Sequence, residues 1–68
     1  MANAKYYVFK EADGWKVRYD GKDYPYGSNT DAVLAAVKAA NSAASQGHAA
    51  EVLVQGFDGK WRTEWAGE

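Results

Sequence analysis

The 68-residue sequence contains no cysteine, one proline, one histidine and one methionine. Without cysteine there is no disulfide scaffold and no thiolate metal site. Charge of one sign is missing too: eight Lys and Arg stand against nine Asp and Glu, a net charge of −1. That balance excludes a strongly basic partner-seeker and an acidic tail. No apolar run approaches the ~18 residues of a membrane helix, and the N-terminus lacks the charged-then-apolar pattern of a signal peptide. The expectation is one cytoplasmic domain over residues 1–68 with no membrane association. Isoleucine is absent and leucine occurs twice, so 13 Ala, 6 Val and ten aromatics make up most of the apolar inventory. The core volume must come from rings. A core of this size rarely supplies more than ~3–5 kcal/mol.

Lys5-Tyr-Tyr-Val-Phe-Lys10 is β-branched and aromatic and reads as a strand. Asp13-Gly14 is a hairpin signal. Trp15-Lys-Val-Arg-Tyr19 alternates with period two, the mark of a half-buried strand. Asp20-Gly21 is a second turn. Pro25, between Tyr24 and Tyr26, permits a short extra edge strand near residue 24 and argues against a central one. Residues 30–46 read as a helix with Thr30 as N-cap, Asp31 at the positive end of the dipole and Gly47 as the left-handed residue after it. Val33, Val37, Ala40 and Ala44, with Leu34 beside them, form its apolar stripe. Glu51 to Gln55 and Lys60 to Trp65 are strands joined by a turn at Gly56-Phe57-Asp58-Gly59. The expected fold is α+β, a hairpin-helix-hairpin (ββαββ) whose four-stranded antiparallel sheet carries one helix on one face.

Hairpin parity assigns the faces. A two-residue turn at Asp13-Gly14 and a four-residue turn from Glu11 to Gly14 both group Tyr6, Val8, Trp15, Val17 and Tyr19. A three-residue turn would swap Tyr7 and Phe9 inward. Turns of two or four residues in the second hairpin group Val52 and Val54 with Trp61, Thr63 and Trp65. These sets are the expected core beneath the helix. The helix-free face then carries Tyr7, Phe9, Glu11, Lys16 and Arg18, with Leu53, Gln55, Lys60, Arg62 and Glu64.

Tyr7-Val8, Asp13-Gly14-Trp15-Lys16-Val17, Thr30 opening an Ala-rich helix, Val52-Leu53-Val54 and Asp58-Gly59-Lys60 resemble a family of short bacterial proteins classed as a domain of unknown function. Its members share a gWxV strand, a Thr-capped helix with repeated Ala and a terminal DGK hairpin. The likeness runs over nearly the whole chain. Gln55-Gly56 departs from the His-Gly pair usual there. The resemblance implies a bacterial or phage-related intracellular α+β domain and carries no activity and no functional residue.

Chemistry is sparse. His48, just past the helix end, has no cysteine and no spaced acid cluster to make a metal site with it, and reads as a solvated or dipole-compensating residue. Ser28, Ser42 and Ser45 lack a nucleophile context. Asp13, Asp20 and Asp58 each precede a glycine, which turn chemistry explains. Gly56-x-x-Gly59 joins strands, whereas the GxxG loop of a KH module joins helices. The expectation is no enzyme, no cofactor and no metal.

What remains is the helix-free face. Tyr7, Phe9, Lys16, Arg18, Leu53 and Arg62 are the expected interface of a binding or assembly module, with a homodimer or another protein as partner. The plainer alternative is a monomer with Lys and Arg stems lying over the rings. Basic residues interleaved with aromatics also fit weak nucleic-acid binding. The net charge of −1 weighs against that reading, because such affinity is largely electrostatic.

Overall fold

The computed structural model describes residues 4–12 and 14–67. β1 (Ala4–Glu11), β2 (Gly14–Tyr19) and β3 (Lys22–Tyr26) are followed by α1 (Asn29–Ser45), β4 (Ala50–Gln55) and β5 (Trp61–Gly67). In the first hairpin Glu11 lies opposite Gly14, Lys10 opposite Trp15 and Val8 opposite Val17. This is the register of the four-residue turn from Glu11 to Gly14, with the expected parity. Asp13 itself, to which the sequence assigns part of that turn, lies outside the described residues. The second turn is the two-residue loop Asp20-Gly21, with φ of 54° and 76°. Positive φ at both central positions is the type I′ geometry whose twist matches that of the flanking strands.

The extra strand forms. β3 pairs along β2 from Tyr19–Lys22 to Trp15–Tyr26, with Pro25 opposite Lys16. It lies at the sheet edge, where the missing N–H costs least. Its presence corrects the expected four-stranded antiparallel sheet. The sheet has five strands in the order β3-β2-β1-β4-β5, and β1 and β4 run parallel. The reason is a count of reversals. A helix crossing back over a sheet delivers the next strand parallel to the one before the helix. With two strands ahead of the helix, β4 would run against β1. The third strand adds one reversal, so β4 runs with β1 and pairs with it from Ala4–Ala50 to Val8–Val54.

The helix begins one residue earlier than expected. Ser28, not Thr30, is the N-cap: its Oγ accepts from the Asp31 N–H at 3.1 Å. At the other end Gly47, with φ of 90°, donates to the Ala44 carbonyl, and the His48 N–H donates to Ala43. These are the two bonds of a Schellman cap, and Gly47 holds the left-handed position expected of it. The buried line is Ala32, Ala36 and Ala40, spaced by four, while Val33, Val37 and Ala43 flank it and Leu34 is 63% exposed. The apolar stripe is thus rotated from the expected one. Alanine at the contact line lets the helix lie close to the sheet, where Val8 and Val52 are wholly buried with Tyr6 and Val17. Each fully buried valine contributes ~1.5–3 kcal/mol. Tyr6 and Tyr19 stack beside them with centroids 4.4 Å apart.

The second hairpin departs from expectation twice. Gly59, with φ of 81°, donates to the Gly56 carbonyl, and Gly56 donates to Lys60. Phe57-Asp58-Gly59 is therefore a three-residue loop, a turn closed by a left-handed glycine. The odd loop length swaps faces: Gln55 lies opposite Trp61, Val54 opposite Arg62 and Leu53 opposite Thr63. A bulge then swaps them back. Val52 lies opposite Trp65, leaving Glu64 as the extra residue. Trp61 and Thr63, expected in the core, stand on the helix-free face. Arg62, expected on that face, stands on the helix side. Trp65 alone of the three packs against the core from the expected side.

A candidate protein-interaction face

The helix-free face is built from alternate residues of all five strands. One row across it reads Asp23, Arg18, Tyr7, Leu53, Thr63, following the paired registers. The next reads Pro25, Lys16, Phe9, Gln55, Trp61, with Phe9 beside Gln55 by continuation of the parallel register. Of the six residues expected to form an interface, the fold brings together Tyr7, Phe9, Lys16, Arg18 and Leu53. Arg62 is not among them. It points to the helix side, where its Nη2 meets Asp58 Oδ2 at 3.2 Å in the turn.

Trp61 takes its place, and the effect is larger than a substitution of one residue. Its indole meets Tyr7 edge-on, with centroids 5.5 Å apart and planes at 80°. This is the favoured geometry for an aromatic pair. The guanidinium of Arg18 lies 4.9 Å from the centre of the Phe9 ring. Tyr7, Phe9, Arg18, Gln55 and Trp61 together line a shallow depression in the middle of the sheet. Tyr7, Phe9 and Leu53 are half-buried although no layer covers them, and Trp61 is 43% exposed. The signal for Trp61 was present in the sequence. A glycine at the end of an odd-length loop predicts the swapped parity that two- and four-residue turns miss.

Charge on the face is balanced. Lys5, Lys16 and Arg18 face Glu11, Asp23 and Glu51 by strand parity. Arg18 is further committed to Asp23 through Nε–Oδ1 at 2.7 Å and Nη2–Oδ2 at 3.1 Å. Thr63 Oγ1 donates to Glu51 Oε2 at 3.2 Å. The Arg18 bonds hold the Asp23 carboxyl below the usual carboxylate range. A depressed folded value means that the pair's contribution is present above the unfolded value, near ~3.9, and is lost as pH falls through the folded one. Because both side chains are solvated, that contribution is small. The titration itself is the readout: Arg18→Gln should return the Asp23 carboxyl, followed by carbon NMR, to the ordinary aspartate range. An unmoved titration would show that the pair does not persist in solution.

The sheet edges offer little to a partner. Pro25 interrupts the donors of β3, and the Glu64 bulge disrupts β5. Both are devices that discourage strand addition. Among the described residues no helix is long and apolar enough to cross a membrane. Fold and face together define a small α+β domain, one helix on a five-stranded mixed sheet with an aromatic outer face. The chain belongs to the family described as an uncharacterized protein conserved in bacteria, DUF2188, which matches residues 6–67. No curated protein and no solved structure matches it.

Proposed function

We propose that this chain is a non-enzymatic protein-binding or assembly module that acts through the helix-free sheet face. The observation that carries the reading is the gathering of Tyr7, Phe9, Leu53 and Trp61 on a face without a second layer, with Trp61 43% exposed. Aromatic residues with an arginine among them are the types that anchor interfaces. The rings are pre-positioned by their packing on one another and by Arg18, so little ordering entropy opposes binding. Blocked edges favour the face over strand addition as the route of association. The balanced charge supports a protein partner over nucleic acid, which needs a basic track along its phosphates. With Arg62 on the helix side, that track is shorter than the sequence promised. The site of action is the bacterial cytoplasm, a reading supported by the cysteine-free composition and the family's bacterial distribution.

A photo-crosslinking amino acid at Gln55, inside the depression, tests the reading in bacterial cells that express the chain. Discrete protein adducts are expected, absent when the same group replaces the exposed helix residue Leu34 and lost on adding Phe9→Lys. Adducts equally strong at position 34, or untouched by Phe9→Lys, would defeat it.

A further inference from the structure

We infer that the partner on this face is a second copy of the same chain, stacked sheet on sheet about a two-fold axis running along β1. The inference rests on the proposed role of the face and names its occupant. β1 is the middle of five strands, so an axis along it superposes the two sheets completely. It lays β2 over the partner's β4 and β3 over the partner's β5. Five strands about 4.8 Å apart, each presenting about six residues of ~3.3 Å, give a face of roughly 24 by 20 Å. Two such faces remove roughly 1,000 Å² from water, the lower end for a specific interface.

The β2 cations count against one of the two stacking axes. The cations Lys16 and Arg18 both lie on β2. A two-fold axis perpendicular to the strands would set β2 against its own copy and bring these cations together. The axis along β1 sets them instead over the partner's β4, whose outer residues are Glu51, Leu53 and Gln55. Row by row, Arg18 then lies over the partner's Leu53 and Lys16 over its Gln55, each contact made twice. On the axis Lys5 and Glu11 each meet their own copy, at the opposite exposed ends of β1 where solvent screens like charge. The same axis brings Pro25, on β3, over the partner's Trp61, on β5, because both stand in the row that contains Phe9. The exposed indole gains a flat apolar ring to cover it. Phe9 meets its own copy near the axis. An interface of this area, with so few anchors, associates weakly, with half-dimerisation at roughly 10–100 µM.

Sedimentation of the full chain from about 1 µM to about 1 mM spans that range. The expected mass rises from 7.4 kDa toward twice that value. Phe9→Lys and Trp61→Ser, each removing an anchor from both copies, should raise the half-dimerisation concentration roughly 100-fold. Their circular dichroism should keep the helix signal, which separates lost association from lost folding. The axis is read by mixing Asp23→Cys and Thr63→Cys chains, the native sequence having no cysteine. A bis-maleimide spanning about 10 Å, the spacing of packed sheets, should join unlike chains and leave each variant alone unlinked. Like-chain crosslinks in their place would overturn the axis. A wild type that stays monomeric at 1 mM would overturn the second copy as occupant, while Gln55 adducts to other proteins would still uphold the face as a binding surface.

Discussion

Ala40→Leu should lower the melting temperature by roughly 10–20 °C and leave a substantial unfolded population at 25 °C. Ala40 is 0% exposed and ends the line Ala32, Ala36, Ala40 in the cluster that holds Val8 and Val52. The helix lies close to the sheet because that line of residues ends at Cβ. Ala36 borders an open groove over Tyr24 and Tyr26, whereas Ala40 does not, so an isobutyl group at Ala40 either twists off its rotamer or lifts the helix. Overpacking of this kind costs ~1–3 kcal/mol, and occasionally more. In a domain this small each kcal/mol moves the midpoint by ~4–8 °C. The loss comes out of a total of only ~3–5 kcal/mol, so the effect on population is large. Asn41→Leu places the same side chain on the exposed side of the helix and should stay within ~0.5 kcal/mol of wild type. Thermal melts of the two variants decide the matter. If Ala40→Leu melts with the wild type, the helix has space above the sheet and the close-packing account fails.

Trp65→Ala should be nearly as damaging, while deleting Glu64, or replacing it by Ala, should not. The loop end of β5 is pinned: Asp58 Oδ1 accepts from the Lys60 N–H at 3.0 Å, and Gln55 Nε2 donates to the Gly59 carbonyl at 3.1 Å. With that register held, Trp65 meets Val52 because Glu64 is set aside as an extra residue. Removing Glu64 places Trp65 directly after Thr63, still opposite Val52 and still on the core side. Trp65→Ala instead empties the half-buried place beside the core that the indole fills. Loss of a large apolar side chain from its packing costs on the order of 2–3 kcal/mol. Glu64→Ala keeps the bulge and removes one exposed carboxylate, a change of at most ~0.5 kcal/mol. Chemical unfolding with tryptophan fluorescence reports both stability and the environment of Trp65. A Trp65→Ala variant with wild-type stability, or a Glu64 deletion as unstable as Trp65→Ala, would defeat this account of the strand.

Period-two alternation placed Tyr6, Val8, Trp15, Val17 and Tyr19 on one side of the first hairpin, because the even turn lengths weighed there keep the same parity. The Asp20-Gly21 turn and the Gly47 cap were legible for a local reason as well: left-handed backbone is cheap at glycine, and Asp tolerates it. The aromatic character of the outer face followed from Tyr7 and Phe9 on the same grounds. Trp61 and Arg62 exchanged sides because a single loop residue inverts every assignment beyond it, and the Glu64 bulge inverts them again. Neither irregularity shows in the alternation of β5, where Trp61, Thr63 and Trp65 read as one face of an unbroken strand although the observed register sends Trp61 and Trp65 to opposite faces. The direction of β4 was not a local property at all. It depends on whether Lys22–Tyr26 completes a strand, which pairing with β2 decides and a proline-containing pentapeptide does not. The line of alanines under the helix was likewise chosen by the sheet. Two faces of an Ala-rich helix are almost equally apolar, and only the volume of Val8 and Val52 beneath selects the thinner one.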